Sequence, residues 1–408
     1  MSQRVLLFGG SRQTMRRASD LGIEPLLLQR PVDHDESFRP LVAELRVVDY
    51  DDTPAVLAAA RDLHRRHPFD RAVSVTEAGM LAAASVNEQF GLGGNPVSSI
   101  RLLKDKARMR RLLNRTGLSP VAADVVTGPA GIRRFAAAHG FPLIVKPVDA
   151  SASIGVSRVD GPDGVDAAWS VATALGLRRM LVEEYLSGPE ISVEAFSFGP
   201  GRHHVVALTA KTTLPNFVEV GHVVPAPVPA AVAQAVTDQV TALLDAVGHQ
   251  DGPSHTELKL TGAGPRIVES HNRQGGDRIT DLVELVYGVD LIKLGLAWAT
   301  GKVEPWAATP SADGSAAIHF MTPPPGTVGA ITGVDEARSR PGVVGIYLDV
   351  AAGDSIREVH SSRDRAGSVV AYAADAPTAT FRASSAATEI RFQQASSGAQ
   401  DTKDAAAG

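Results

Sequence analysis

The sequence contains no cysteine among its 408 residues, which excludes disulfide bonds, thiolate metal sites and a cysteine nucleophile. It has no apolar run near the roughly 18 residues of a membrane span. Basic residues are not in surplus, since the formal net charge is −5, whereas general nucleic-acid binders show such a surplus. Aromatic residues are few, at 5%, but the 44% of hydrophobic residues is typical of a globular protein. We therefore expect a cytoplasmic protein of roughly two to four domains, without membrane or nucleic-acid partners.

Two common nucleotide-binding motifs are also absent. The apolar run Arg4 to Phe8 leads into Gly9-Gly10 without GxGxxG spacing, and the next run ends in Gln29-Arg30 where a ribose-binding acid would be expected. The GxxxxGK[ST] pattern of a Walker A loop is missing as well. The same runs nevertheless predict a β-α-β unit followed by a strand at Arg71 to Val75. The next acid, Glu77, lies where open α/β sheets bind ligands, although it is equally typical of a helix N-terminus.

The most informative stretch is HTELKLTGAGPRIVESHNRQGGDR, residues 255–278. Its TGAG turn joins two short runs, which predicts a β-hairpin. A hairpin folded about Ala263 places Glu257 directly opposite Glu269, with Cβ atoms about 5 Å apart. The other face would bury Leu258, Leu260 and Val268. Like charges directly opposite each other repel; Mg²⁺ carrying substrate phosphates would remove the repulsion, and a solvated hairpin with two surface glutamates is the alternative.

Two earlier segments carry lysines next to predicted structural boundaries. A helix is predicted from Leu103 to Thr116, with Lys104 and Lys106 in its first turn, where the helix dipole disfavours cations. A solvated basic face accounts for these lysines as well. Lys146 ends a strand and precedes the small-residue loop DASASIGVS, which is suited to covering phosphates.

The segment VEEYLSGPE joins two predicted strands. Main-chain groups beside Val182 and Leu186 could hold a flat adenine ring, and Glu190 could bind ribose hydroxyls. Taken singly, each of these acids is better explained as a surface residue.

Taken together and in order, these segments resemble the ATP-grasp superfamily over residues 1–375. The resemblance is carried by KDK before a helix, FPLIVKP, the small-residue loop, VEEYLSGPE, and paired glutamates with an arginine four residues on. It implies a multidomain α/β and α+β protein with a Rossmann-like N-terminal domain. The expected domains are a pre-ATP domain (1–103), an ATP-grasp lid subdomain (104–190), a core subdomain with the Mg²⁺ and phosphate site (191–308), a small β-rich C-terminal subdomain (309–376) and a disordered tail (377–408).

The resemblance also implies roles for individual residues. Lys146 and Arg273 would be catalytic, and Glu257 and Glu269 would bind the metal. Where the family pattern reads E-x-N-x-R, this sequence reads ESHNR with His271 in the Asn place, so either Asn272 is a third ligand or two carboxylates suffice. The expected ATP contacts are Lys106, Lys146, Ser151, Ser153, Gly155, Glu183, Glu184, Tyr185, Leu186 and Glu190.

Within the superfamily, HTELKL, TAKTT, NFVEVGHVVPAP and GVVGIYLDVAAGDSIREV resemble the dipeptide-forming L-amino-acid ligases. This implies an ATP-dependent carboxylate–amine ligase that uses ATP and Mg²⁺, with Mn²⁺ as a substitute, and proceeds through an acyl phosphate on small-molecule substrates. A carboxylating relative, a purine-pathway ligase and a non-catalytic nucleotide-binding module are the alternatives. The identities of the acid and the amine, and a homodimeric state, are left open. Candidate substrate contacts are Glu77, Lys211, His222 and Arg278.

Overall fold

The computed structural model describes residues 3–148 and 154–395. They form two compact units, the first comprising residues up to Lys211 together with Val224–Asp313 and the second comprising Thr212–Val223 and the residues from Gly314 onward. Within the described ranges, no helix combines the length and apolar character needed to cross a membrane.

Helices and strands are both found along the whole of the described chain. The strands are β1 (Gln3–Phe8), β2 (Ile23–Gln29), β3 (Glu44–Val47), β4 (Arg71–Ser74), β5 (Ala123–Val126), β6 (Leu143–Pro147), β7 (Ser157–Val159), β8 (Met180–Glu184), β9 (Glu190–Phe198), β10 (His203–Thr213), β11 (Glu219–Val224), β12 (Asp251–Thr261), β13 (Gly264–His271), β14 (Ser315–Met321), β15 (Gly326–Thr332), β16 (Val343–Leu348), β17 (Ser355–Ile356), β18 (Gly367–Ala373) and β19 (Arg391–Gln394). The helices are α1 (Arg12–Asp20), α2 (Thr53–Arg66), α3 (Met80–Phe90), α4 (Val97–Lys104), α5 (Lys106–Thr116), α6 (Pro129–His139), α7 (Gly164–Ala174), α8 (Ala230–Val247), α9 (Ile279–Tyr287), α10 (Leu291–Ala299), α11 (Val334–Arg338) and α12 (Ala376–Glu389).

The first unit begins with a parallel sheet in the order β3-β2-β1-β4. Its central strand β1 is apolar on both faces, as expected for a parallel sheet covered on both sides by helices. Val5 and Leu7 join one core and Leu6 and Phe8 join another. The predicted β-α-β unit is therefore confirmed. Glu77 follows β4 and begins a short 3₁₀ turn, so it lies at the carboxyl end of the sheet.

A second, antiparallel sheet has the order β5-β8-β6-β7. Residues of α6 and α7, among them Ile132 and Ala172, pack with residues of this sheet in one core. The sheet brings Lys146 on β6 close to Glu183 on β8.

The third sheet of the first unit places β12 between β13 and β9, with β10 beyond β9. Its apolar face packs on α8 and α5 through a core that includes Leu113, Val193, Val240, Leu258 and Ile267. The alternation of strand side chains leaves polar residues on the opposite face.

The predicted hairpin is confirmed, but the turn is centred one half-residue earlier than expected. Thr261 pairs with Gly264 across a two-residue turn, and a β-bulge near Leu258 then restores the pairing of Glu257 with Glu269. Because of the bulge, Ile267 and not Val268 fills the core: Ile267 is fully buried, while Val268 is half-buried.

The single helix predicted from Leu103 to Thr116 is wrong. The chain forms α4 and α5, separated at Asp105, whose side chain accepts a hydrogen bond from the Arg108 amide at 2.9 Å and caps α5. Lys104 therefore ends one helix, and Lys106 begins the next with its amide donating to the Val148 carbonyl at 2.9 Å.

The second unit contains the strand order β11-β14-β18-β16 and the smaller sheet β17-β15-β19. The prediction of a disordered tail from residue 377 is wrong for residues 377–395, because α12 and β19 lie there. Asp375 caps α12 by accepting from the Thr378 amide. The small side chains of Ala379 and Ala383 then pack against Ala317, Ala371 and Ala373 of β14 and β18. The alanine-rich composition permits this close approach of helix and sheet.

We expect Ala383→Leu to destabilise the second unit by about 1–3 kcal/mol, because added methylene groups overpack a filled interface. The matched change Thr380→Leu, on the exposed side of the same helix, should alter stability by no more than about 0.5 kcal/mol. Urea denaturation of both variants measures the difference. Equal midpoints for the two variants would contradict the packing of α12.

Candidate functional site

One face of the third sheet carries a cluster of acidic and basic side chains. Positions two residues apart share a face of a strand, so β9 contributes Glu190, Ser192 and Glu194, β12 contributes His255, Glu257 and Lys259, and β13 contributes Glu269 and His271. Glu194 is fully buried, and Glu257 and Glu269 retain 17% and 21% of their side-chain exposure. Such a set can be stable only if each carboxylate has a basic or hydrogen-bonding neighbour.

Glu257 and Glu269 are register partners across the β12–β13 ladder, as predicted. The Lys211 ammonium lies 2.6 Å from Glu257, and the Lys106 ammonium lies 3.0 Å from Glu269. Burial raises the pKa of both carboxyl groups, but nearby cations outweigh it and lower each pKa, with Lys211 the largest such effect at Glu257 and Lys106 the largest at Glu269. Burial lowers the pKa of Lys106, yet Glu269 raises it above its ordinary value. Two ionised carboxylates side by side are a donor set that fits a hard divalent cation.

A second rung of the same ladder pairs His255 with His271. His255 lies between two carboxylates, with Nδ1 2.7 Å from Glu194 and Nε2 3.1 Å from Glu257. Burial lowers the pKa of His255, but the two glutamates raise it to about 9, so this imidazole is protonated and donates to both. Glu194 also accepts from Ser192 and from the Gly275 amide.

Sequence reasoning assigned no role to Glu194 or His255. The two-residue spacing of His255 and Glu257 is a usable sequence signal, because it places both on one strand face. The partner Glu194 is 61 residues away, and nothing local indicates it.

Lys146 belongs to a buried ion-pair network. Its ammonium is 2.5 Å from one oxygen of Glu183, whose other oxygen accepts from Arg110 at 2.6 Å. Arg110 also donates to the carbonyl groups of Ser119 and Ile267. Burial raises the pKa of Glu183, and the two cations outweigh this and lower it. The Glu183 side chain thus holds Lys146 in place, and Arg110 is a member that sequence reasoning missed.

Main-chain hydrogen bonds hold the end of β8 and the residue after it to two other segments. The Glu184 amide donates to the Ala122 carbonyl, and the Tyr185 amide donates to the Pro142 carbonyl. The Glu184 carboxylate accepts from the Ala122 amide, and the Arg158 guanidinium stacks on the Tyr185 ring. Leu186 follows Tyr185 and takes no part in these hydrogen bonds.

Glu190 bridges two lysines of neighbouring strands. Lys211 is 3.1 Å from one of its oxygens, and Lys259 is 2.9 Å from the other. The same Lys211 reaches Glu257. The Lys211 ammonium therefore links Glu190, the candidate ribose ligand, to Glu257, a candidate metal ligand.

The proposed phosphate-covering loop is only partly described. Ser151 and Ser153 lie outside the described residues. Gly155 has φ +73°, and a Cβ there would come within 3.1 Å of the Leu175 and Pro147 side chains, so both backbone conformation and space favour glycine.

Arg273 contacts the N-terminal sheet. Its guanidinium lies 2.9 Å from Glu77, 196 residues earlier in the chain, and also donates to the Gln274 carbonyl. Burial raises the pKa of Glu77, but His271 and Arg273 outweigh it and lower it. The Asn272 side-chain amide donates to the sulfur of Met80. In this structure His271, and not Asn272, lies beside Glu269, with 3.1 Å between Nε2 and Oε1.

The remaining substrate candidates lie in two places. Arg278 precedes α9, has a left-handed backbone with φ 60°, and contacts Asp281 at 3.0 Å. His222 is in the second unit, where its buried ring packs edge-on against Phe320 with 5.7 Å between ring centroids.

Three family models match the chain in order. They are described as ATP-grasp N-terminal domain for residues 15–94, ATP-grasp domain for residues 139–281, and L-amino acid ligase C-terminal domain 2 for residues 319–395. The last of these includes α12 and β19.

Solved and curated relatives agree with these matches. A crystal structure of L-amino acid ligase from Bacillus licheniformis superposes with a TM-score of 0.85 over 97% of this chain and 99% of that one, at 21% identity, which is a likeness of fold. Alanine–anticapsin ligase of Bacillus subtilis is 25% identical over 52% of this chain, and the matched region spans half of that enzyme's length. Phosphoribosylamine–glycine ligase of Streptomyces coelicolor is 29% identical over 99% of both chains.

We expect Arg110→Met to destabilise the first unit by about 3–5 kcal/mol at pH 7, because it breaks a buried ion pair. The control Arg108→Met, at a 58% exposed side chain paired with Asp105, should cost about 1 kcal/mol or less.

The effect of Arg110→Met should also depend on pH. The pKa of Glu183 in the folded protein is lowered from 4.5, its ordinary value. The ionised Glu183 carboxylate therefore stabilises the fold fully above pH 4.5, and this stabilisation is lost as the pH falls through the folded-state pKa. Denaturation curves at pH 7 and near pH 3.5 should show the gap between wild type and variant narrowing. A gap independent of pH would contradict an ionised Glu183.

Proposed function

The chain is an ATP-grasp protein, and we propose that it is an ATP-dependent carboxylate–amine ligase that forms an amide or peptide bond and releases ADP and phosphate. The observation that carries the proposal is the rung of Glu257 and Glu269, each with a lysine at its carboxylate and with Arg273 four residues beyond Glu269. The C-terminal match to an L-amino acid ligase domain supports amino acids or related small acids as substrates.

The proposed reaction has two steps. An oxygen of the substrate carboxylate attacks the γ-phosphorus of ATP, forming a new P–O bond as the bond to ADP breaks. The amine of the second substrate then attacks the acyl carbon, a C–N bond forms, and phosphate leaves with the electron pair of the broken C–O bond while the amine loses a proton. Because the activated species is an acyl phosphate, no enzyme nucleophile is needed, and the absence of cysteine is no obstacle.

The residues of the site divide this work. Lys146 and Lys106 would contact ATP phosphates, with Glu183 positioning Lys146. The main chain from Glu183 to Leu186 would accept the adenine, and Glu190 would bind the ribose. A divalent cation, Mg²⁺ or Mn²⁺, at Glu257 and Glu269 would bind phosphate oxygens and neutralise their charge.

Glu77 and Arg278 of the first unit are proposed for the acceptor side, and His222 of the second unit remains a separate substrate candidate from the sequence. A guanidinium matches a carboxylate in two-point hydrogen bonding, which favours Arg278 as the contact to a substrate carboxylate. The sequence also predicts Lys211 as a substrate contact, but its contacts to Glu190 and Glu257 favour a place beside the nucleotide and metal.

The purine-pathway alternative is supported by the match to phosphoribosylamine–glycine ligase over nearly the whole chain. A phosphoribosylated amine in the substrate panel separates it from the dipeptide-forming reaction. A carboxylating enzyme would instead require bicarbonate. A module without catalytic activity would bind ATP and release no phosphate under any of these conditions.

We expect phosphate release from ATP to require a particular pair of an acid and an amine, with mass spectrometry showing the condensed product. Glu269→Gln should abolish this release, since it removes one charge of the metal pair, while the exposed Glu304→Gln should leave it unchanged. Full activity of Glu269→Gln at limiting Mg²⁺ would rule out the metal assignment. Phosphate release that depends on bicarbonate alone would rule out the ligase.

We expect Arg273→Ala to lower kcat by about 10²–10³, the usual effect of removing one preorganised donor to developing negative charge. The KM for ATP should change little, and Arg273→Lys should recover only part of the loss because it lacks the planar guanidinium. Steady-state kinetics with the exposed Arg61→Ala variant as the control measure this. A wild-type kcat in Arg273→Ala would refute the role and leave only its ion pair with Glu77.

A further inference from the structure

Two rungs of the β12–β13 ladder place a histidine beside each paired glutamate on the same strand face. Glu257 pairs with Glu269, and His255 pairs with His271. The two imidazole rings are nearly parallel, with 6.2 Å between centroids. The site therefore offers nitrogen as well as oxygen donors.

The position of His271 suits metal binding. Its Nε2 is 3.1 Å from Oε1 of Glu269, and two ligands at adjacent positions around a cation with bonds of roughly 2.1 Å lie about 3 Å apart. The present separation therefore needs little change for both atoms to bind one ion. Lys106 contacts the other oxygen of Glu269, which leaves Oε1 on the side of the imidazole.

The surroundings of the second ring nitrogen agree with this. Nδ1 of His271 faces the Glu77 carboxylate at 3.7 Å, and Glu77 is itself held by Arg273 at 2.9 Å. A carboxylate near the distal nitrogen favours a proton there and directs the lone pair of the other nitrogen toward a metal. His255 differs at Nδ1, which lies 2.7 Å from the buried Glu194 carboxylate. Its Nε2 lies 3.1 Å from Glu257, the same separation as between His271 Nε2 and Glu269.

We propose that His271 and Glu269 bind the same divalent cation, so that the site prefers a first-row transition cation such as Mn²⁺ over Mg²⁺. Imidazole is a good ligand for transition metals, whereas Mg²⁺ selects oxygen. The proposal rests on the proposed function only in taking this face to be the nucleotide and metal site. It names His271 as the residue that determines metal preference.

Pulsed EPR of Mn²⁺ bound to the protein with ADP tests the ligand directly and needs no turnover. The wild-type protein should show ¹⁴N modulation that is replaced by ¹⁵N modulation when only its histidines are ¹⁵N-labelled, which separates protein nitrogen from adenine nitrogen. In His271→Asn the histidine coupling should disappear while Mn²⁺ still binds through the carboxylates. The matched variant His255→Asn, on the same rung, should keep the coupling.

Isothermal titration with Mg²⁺ and Mn²⁺ gives the second readout. His271→Asn should raise the Kd for Mn²⁺ by about tenfold and change the Kd for Mg²⁺ little. The Kd for Mg²⁺ divided by the Kd for Mn²⁺ should therefore fall. Circular dichroism and thermal melting confirm that each variant is folded.

Four outcomes overturn the proposal: no histidine coupling in the wild type, coupling that persists in His271→Asn, coupling lost only in His255→Asn, or no Mn²⁺ binding. These results are independent of the ligase assay. Coupling without any condensed product would support His271 and reject the proposed reaction, whereas product formation without coupling would do the reverse.

Discussion

Charge compensation on one sheet face is the constraint on which the rest of the first unit depends. Glu190, Glu194, Glu257 and Glu269 project from three adjacent strands, and their mutual repulsion would be severe in a partly buried setting. Lysines from different parts of the chain offset it, with Lys106 at the start of α5 and Lys211 on β10. Lys106 occupies the first turn of a helix, where the helix dipole disfavours a cation. The Glu269 carboxylate, 3.0 Å from its ammonium, raises the Lys106 pKa above its ordinary value despite burial.

The same ion pairs fix the positions of the basic side chains around Glu183 and Glu190. Glu183 is held at both oxygens by Lys146 and Arg110, and Glu190 is held at both oxygens by Lys211 and Lys259. A positive group that already has a fixed position loses little freedom when a phosphate arrives, and such preorganisation is what makes electrostatic stabilisation effective.

Local sequence patterns predicted the strands, the hairpin and the opposition of Glu257 and Glu269, because alternation and turn residues act over a few positions. They wrongly predicted that Val268 is buried, because a β-bulge has no reliable signal in one sequence. The predicted pairing of Glu257 with Glu269 was nevertheless correct, because the early turn and the bulge offset each other. Arg110 and Glu194 were missed because their partners are 73 and 61 residues away. The helix α12 was missed because its alanine and serine content suggested disorder, although Asp375 and the spacing of Ala379 and Ala383 were signals of a capped, packed helix.

Because of the ion pair between Arg273 and Glu77, the site is not independent of the N-terminal sheet. It joins the end of the hairpin to the carboxyl end of the N-terminal parallel sheet. The N-terminal sheet thus supplies, through Glu77, a direct contact to Arg273, which lies four residues beyond Glu269. A chimera that exchanges this N-terminal region with that of a relative would therefore retain the restraint on Arg273 only if the donor carries an acid at the place of Glu77.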